Sequence, residues 1–146
     1  ELPEAASRSD LTIRGVSTRL LKVPLRYALG TSADVVRTVP MVLVDVLTVE
    51  GVPGRAYAFG YTDAGASAIA SLIRETGDLV QGWKAAPLAV GDLLQRRYRL
   101  LGVTGTVRMA LSVLDVALWD AQARAAGVPL HAHVGAGTRW RRKRCG

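Results

Sequence analysis

The sequence predicts an α+β fold, in which a three-stranded antiparallel β-meander is followed by a bundle of three to four helices. Residues 11–61 are rich in β-branched residues and are divided by turn residues, which is typical of strands. Residues 62–135 instead repeat apolar residues at steps of three and four, which is typical of helices. All strands precede all helices, so the pattern argues against the alternating order of a parallel sheet.

The first strand is expected over residues 11–25, where apolar and β-branched residues alternate with Thr, Ser and Arg up to Pro24. Residues 26–38 carry Gly, Ser, Thr and Asp without a clear period, which predicts a loop longer than most connections. Long loops of this kind in compact domains are usually functional or disordered.

Residues 39–49 form the strongest strand candidate, a nearly continuous β-branched run that predicts a central strand or one covered on both faces. Glu50 and Gly51 predict a tight turn, and residues 52–61 return as the third strand. Every second position of that strand is small, which predicts close packing of another element on that face. The small residues are Gly54, Ala56, Ala58 and Gly60.

The first helix is expected to begin at Thr62 or Asp63, either of which can cap a helix, and Gly77 is a predicted weak point or bend. Pro87 suits the first turn of the second helix. One side of that helix is expected to be lined by apolar residues before Gly102. These residues are Leu88, Leu93, Leu94, Tyr98 and Leu101.

The third helix is the longest and is expected to end at Gly127, two residues before Pro129. Its apolar positions follow helical spacing and are Val107, Leu111, Leu114, Leu118, Ala121 and Ala125. Asp120 and Arg124 stand four apart and are expected to form an ion pair on the helix. Trp119 is predicted to be buried core.

Charge and composition limit the classes of function. The net charge is +7, but five of the 19 basic residues lie in residues 139–144, and the remaining 14 face 12 acidic residues. A nucleic-acid-binding face would carry basic residues across the folded body. The sequence has no apolar run long enough to span a bilayer and no pattern of a secretory signal, so we expect a cytoplasmic protein. Residues 1–10 are expected to be a flexible leader.

Catalytic motifs are absent from the sequence: it contains no phosphate-binding glycine loop, no GxSxG elbow, no HExxH and no CxxC. The two histidines, His131 and His133, would share a face if extended, but a metal site needs more ligands than two. Asp115 and Asp120 are five apart and point to different sides of a helix, so both are expected to be surface groups or local hydrogen-bond partners. We therefore assign no catalytic residue, no metal ligand and no cofactor to this chain.

The chain nevertheless resembles a known family through the motif at its last helix. An alanine and an apolar-Asp pair are followed by Ala-Leu-Trp-Asp, a basic residue, Gly-apolar-Pro-Leu and Gly-x-Gly. The residues are Ala110, Leu114, Asp115, Ala117, Leu118, Trp119, Asp120, Arg124, Gly127, Val128, Pro129, Leu130, Gly135 and Gly137. This order resembles the N-terminal capping domain of the enolase superfamily, and the mandelate racemase branch is most similar. The resemblance covers residues 11–137 and leaves residues 138–146 as a basic tail foreign to the family, such as a frameshift would produce.

The resemblance implies a division of labour with a second domain. Enzymes of this family use magnesium to abstract the proton α to a carboxylate, as racemases or acid-sugar dehydratases, and hold the metal and bases on a barrel of about 250 residues. The expected partners are therefore that barrel, a small carboxylate substrate and further copies in a homo-oligomer, and this chain alone should be inactive.

The capping domain of this family also supplies a lid over the substrate. The lid residues implied here lie in residues 26–38 and at the end of the third strand. They are Tyr27, Leu29, Val36, Gly60 and Tyr61. Ordinary loop packing explains Leu29 and Val36 equally well.

Two other interpretations remain open. A stand-alone binding or assembly module would use the exposed apolar surface that faces the barrel in the family, and would form a defined complex with a partner. A nucleic-acid-binding protein would use the basic tail, and its salt-dependent binding would have to persist in a chain that ends at Gly137.

Overall fold

The computed structural model describes residues 10–32 and 34–135, and it confirms the α+β meander-and-helices fold. The predicted leader, apart from Asp10, and the predicted basic tail lie outside the described residues. The elements in chain order are β1 (Ile13–Gly30), β2 (Val35–Thr48), β3 (Gly54–Phe59), α1 (Asp63–Val80), α2 (Pro87–Arg97), α3 (Gly105–Ala125) and α4 (Leu130–Val134). Among the described residues, no helix is long and apolar enough to cross a membrane.

The three strands form one antiparallel sheet in the order β1-β2-β3, so β2 is central as predicted. Residues of β2 that face the helices, among them Val42, Val44 and Val46, are completely buried under α1 and α3. The alternate residues of β2, such as Leu43 and Asp45, are only partly buried. We call these two sides the inward and outward faces of the sheet.

Small residues in β3 and directly after it allow α3 and α1 to approach the backbone of the sheet, as the sequence predicts. A Cβ atom added at Gly54 would lie 2.0 Å from the carbonyl oxygen of Ala117. At Gly60 an added Cβ would lie 2.5 Å from the Cβ of Ala66 in α1. Both positions therefore require glycine for space.

Two details of the helix predictions are wrong. Helix α1 continues through Gly77 to Val80, and an added Cβ at Gly77 would lie 2.8 Å from the Cβ of Val16, so this glycine permits close packing and not a bend. Helix α2 ends at Arg97, before Leu101, and its buried side is built on Val90 and Leu94. Leu88 and Leu101 are exposed, because Leu88 lies outside this stripe and Leu101 lies beyond the helix end.

The helix caps agree with the sequence. The Thr62 hydroxyl accepts a hydrogen bond from the Gly65 N–H at the start of α1. Gly127 has a φ of 67° after α3, and the Val128 N–H donates to the carbonyl of Ala123, which satisfies a terminal carbonyl of the helix.

The predicted ion pair of Asp120 and Arg124 is present, with 2.7 Å between Oδ2 and Nε. The same Asp120 oxygen also accepts a hydrogen bond of 2.9 Å from the backbone N–H of Arg55 in β3. Asp120 thus joins the long helix to the edge of the sheet, a role that the sequence spacing alone did not indicate.

Candidate substrate-lid site

Residues 24–30 and 35–38 form a two-stranded ribbon that extends beyond the sheet, and the predicted loop over residues 26–38 is wrong. Leu29 pairs with Val36 and Gly30 with Val35, so β1 and β2 continue nearly to the turn. The third strand ends earlier, since Phe59 pairs with Met41. Only two strands remain past that point, and we call residues 24–32 and 34–38 the ribbon.

An irregular register explains why the sequence pattern concealed this ribbon. Pro24 pairs with Thr38 and Leu29 with Val36, so four residues of β1 stand opposite Arg37 alone. The turn is closed by Thr31, whose N–H and hydroxyl both donate to the carbonyl of Asp34. A bulge of this size removes the two-residue alternation by which strands are recognised.

The structure places the predicted lid residues of the ribbon as follows. Leu29 and Val36 are cross-strand partners, so their side chains share one face of the ribbon. Leu29 is 50% exposed and Val36 is partly buried. Tyr27 lies in the bulge and is 76% exposed, with the Arg26 guanidinium 5.4 Å from the centre of its ring.

Gly60 and Tyr61, the other predicted lid residues, follow β3 at the same end of the sheet as the ribbon. The Gly60 N–H donates to the carbonyl of Pro40, which holds this segment in register with β2. The Tyr61 ring lies 4.7 Å from the ring of Phe59, which alternates onto the outward face. Tyr61 thus lies at the same sheet end as Leu29 and Val36. Its ring lies beside Phe59 of the outward face, whereas the pairing register assigns Leu29 and Val36 to the inward face.

Tyr61 has an unfavourable backbone conformation. Its φ is 58°, and among the described residues it is the one non-glycine residue with positive φ. The Thr62 N–H donates to the Gly60 carbonyl at 2.6 Å, which closes a tight turn with Tyr61 at its centre. A bulky side chain in this region costs about 1 to 2 kcal/mol, and such strain is concentrated at functional sites. Sequence reasoning could not detect this strain.

Glycine at position 61 should relieve the strain. We expect Tyr61→Gly to be more stable than Tyr61→Ala by about 1 kcal/mol, because both lose the ring and only glycine adopts positive φ freely. Urea unfolding of the two variants measures the difference. Equal stability of the two variants would show that the backbone at residue 61 is not strained.

The base of the ribbon is joined to α1 by an ion pair. The Lys22 ammonium lies 2.7 Å from the Asp63 carboxylate in the first turn of that helix. Both side chains are about two-thirds exposed, so the pair contributes little to stability.

The residues predicted to lack a catalytic role lie away from this end of the sheet. His131 and His133 are in the short helix α4, which is not the extended segment considered above. Trp119 is only partly buried, contrary to the prediction, because it lines a groove of about 480 Å³, in which its ring lies 5.9 Å from that of His133. Burial raises the pKa of Asp115 above its ordinary value, while a hydrogen bond from Trp119 opposes the rise.

The sequence profile of the N-terminal domain of mandelate racemase and muconate lactonizing enzymes matches residues 10–135. The chain belongs to this family. The match spans all of the described residues, and it confirms the resemblance that the last helix indicated.

Individual members of the family are similar over the same region. Muconate cycloisomerase 1 from Rhodococcus opacus is 30% identical over 131 residues, which cover 87% of this chain and 34% of that protein. An enolase from Bradyrhizobium, crystallised with magnesium and mandelic acid, is 34% identical with a TM-score of 0.81, over 87% of this chain and 35% of that one. An enolase from the alphaproteobacterium BAL199, with bound magnesium, is 31% identical with a TM-score of 0.81, over 86% of this chain and 34% of that one.

The chain therefore spans about a third of the length of these relatives. Two of them contain magnesium, but the residues described here do not fit that ion. No group of three or more acidic, histidine or cysteine side chains among them is arranged to hold a metal. Several carboxylates are instead held by cations: Asp10 by Lys84, Asp45 by Arg55, Asp63 by Lys22 and Asp120 by Arg124.

Proposed function

We propose that this chain is the capping domain of a magnesium-dependent enzyme that abstracts the proton α to a carboxylate, of the racemase or acid-sugar dehydratase type. Its role in that enzyme is to close over the mouth of a C-terminal barrel, with Leu29 and Val36 beside the distal part of the substrate and Tyr27, Gly60 and Tyr61 at the same end of the sheet. The observation that carries the proposal is the ribbon, which stands free beyond the sheet and carries exposed apolar side chains.

A free ribbon of this kind needs a partner surface. A two-stranded ribbon alone is marginally stable in water, and Tyr27, Leu29 and Val35 are all at least half exposed. The free energy falls when another surface covers the apolar groups of such a projection and removes them from water. The strained and exposed Tyr61 at the same sheet end supports a functional role for this region.

The proposal separates binding from chemistry. The magnesium ion and the general bases belong to the barrel, which supplies the Lewis acid and the proton transfer when the enzyme is complete. The capping domain excludes water and contacts the part of the substrate away from the metal. Changes in the ribbon should therefore affect which substrates react and should leave the metal site intact.

Substitution of Leu29 tests this separation. In the full-length enzyme, with this domain joined to its barrel, we expect Leu29→Trp to reduce kcat/KM roughly tenfold or more for 2-hydroxy acids with large distal groups. Small substrates should be affected less, and magnesium affinity should be nearly unchanged, because the larger ring fills distal space and does not reach the metal. Steady-state kinetics on a substrate series and magnesium titration measure the two effects.

The matched control is Leu100→Trp, since Leu100 is fully exposed in the turn after α2. We expect this variant to behave as the wild type on every substrate. Equal losses for all substrates in Leu29→Trp, with a matching loss of magnesium binding, would mean that Leu29 supports the fold and does not select the substrate.

A further inference from the structure

Strand β1 lies at the edge of the sheet, and its pairing with β2 uses only one side of its backbone. At the start of β1 another segment of the chain covers the outer side. The Ile13 N–H donates to the Trp83 carbonyl, and the Ile13 carbonyl accepts from the Gly82 N–H, both at 2.8 Å. Among the described residues, no backbone group pairs with the outer side of residues 15–23. We call residues 15–23 the open edge.

The open edge can accept a further strand. Alternate residues of an antiparallel edge strand direct their N–H and C=O groups away from the sheet, where an extended peptide can pair with them. Leu20 pairs with Val42 of the inward face and Leu21 with Met41 of the outward face, and these leucines are 47% and 39% exposed. An added strand therefore covers apolar surface on both faces while it pairs with the backbone.

The charges beside the open edge favour an acidic strand. Residues 11–32 contain four basic residues and no acidic one. On the outward face, Arg19 has no carboxylate within ion-pair distance among the described residues, and Asp45 of the same cleft is held by another arginine. On the inward face, Arg74 of α1 donates a hydrogen bond of 3.1 Å to the Thr18 hydroxyl, which holds a second cation at the open edge. Carboxylates on an added strand compensate both charges.

A second copy of β1 does not fit this edge. Antiparallel pairing of two β1 strands brings the basic residues of both copies together, with no acidic residue between them. Like charges on neighbouring strands are destabilising, and cations on an edge strand protect it against pairing with an identical edge. The partner is therefore a strand of different sequence and opposite charge.

We propose that the open edge binds an extended acidic segment of another protein, which adds to β1 as a further strand of the sheet. The backbone of this segment pairs with alternate residues of the open edge. Its carboxylates lie beside Arg19 and Arg74, and its apolar side chains cover Leu20 and Leu21. The inference does not depend on the proposed lid function, because the open edge precedes the ribbon along β1.

A fluorescent peptide of alternating Glu and Val, as long as the open edge, tests the proposal on the 146-residue chain. We expect saturable binding, measured by fluorescence anisotropy. The same peptide with every backbone nitrogen methylated should bind at least roughly tenfold more weakly, because it loses several backbone donors and keeps its charge. Equal binding of the two peptides would show attraction by charge alone and would overturn the inference.

Reversal of one charge tests the position of the peptide. We expect Arg19→Glu to weaken binding by about 5- to 10-fold, because it removes one exposed ion pair and adds a repulsion. Arg108→Glu is the matched control, since Arg108 is exposed in α3, which packs mainly on β3 at the other edge of the sheet. It should bind the peptide nearly as the wild type does. Equal weakening by both variants would mean that only the net charge matters, which contradicts the inference.

Amide hydrogen exchange locates the peptide on the backbone. We expect slower exchange at alternate amides of the open edge when the peptide is bound. Slower exchange only at other residues would place the peptide on another surface. Slow exchange in the free chain at every concentration would show that the chain covers its own edge, and slowing that increases with protein concentration would show that a second copy does. Each of these three results overturns the inference.

Discussion

Replacing Gly54 by alanine is expected to destabilise the domain by roughly 3 kcal/mol, at the upper end of the range for an overpacked core. The added Cβ would lie 2.0 Å from the carbonyl oxygen of Ala117 and 2.8 Å from the Cβ of Ala121. The nearest atom belongs to the backbone of a long helix, so it cannot move aside as a flexible side chain can. Helix α3 would have to shift away from the sheet.

Chemical denaturation of the wild type and of Gly54→Ala measures this loss. The variant should have a lower denaturant midpoint, and its unfolding free energy should fall with denaturant concentration at a similar slope. Gly15→Ala is the control, because an added Cβ at Gly15 meets nothing within 4 Å. That variant should be as stable as the wild type or slightly more stable. If Gly54→Ala and Gly15→Ala had the same stability, the close contact between β3 and α3 would be wrong.

Replacing Leu114 by alanine is the second change with a large expected effect. Leu114 is 1% exposed in the centre of α3, and truncation of a buried leucine costs about 2 to 5 kcal/mol because it loses apolar burial and leaves a cavity. Leu100→Ala removes the same atoms from a side chain that is 100% exposed, and it should cost little. Parallel thermal melts compare the two variants. Similar losses in both would contradict the placement of α3 in the core.

The fold was predictable from the sequence where interactions between residues close in the chain determine it. The β-branched run of β2 and the spacing of Val107, Leu114 and Leu118 in α3 indicate burial directly. Gly127 and the Thr62 cap follow from backbone geometry, which depends on a few adjacent residues. The small residues of β3 also predicted close packing before the packed helix was known.

The candidate site was less predictable, because it depends on pairing over longer distances. The bulge opposite Arg37 interrupts the alternation that marks a strand, so the ribbon had the pattern of a loop. A hydrogen bond to the Pro40 carbonyl holds Gly60, and Thr62 caps α1. Tyr61 lies between these two fixed residues, and the chain turns there with a positive φ. The double role of Asp120 is not visible until its partners are placed.

The central claim is that this domain closes an active site whose chemistry lies on another domain. Exchange of the α-proton of a 2-hydroxy acid for deuterium, followed by NMR in the presence of magnesium, tests it most directly. We expect no exchange with the homogeneous 146-residue chain, and magnesium-dependent exchange when the same chain is joined to its barrel. Magnesium-dependent exchange by the chain alone, or none by the joined protein, would contradict the account.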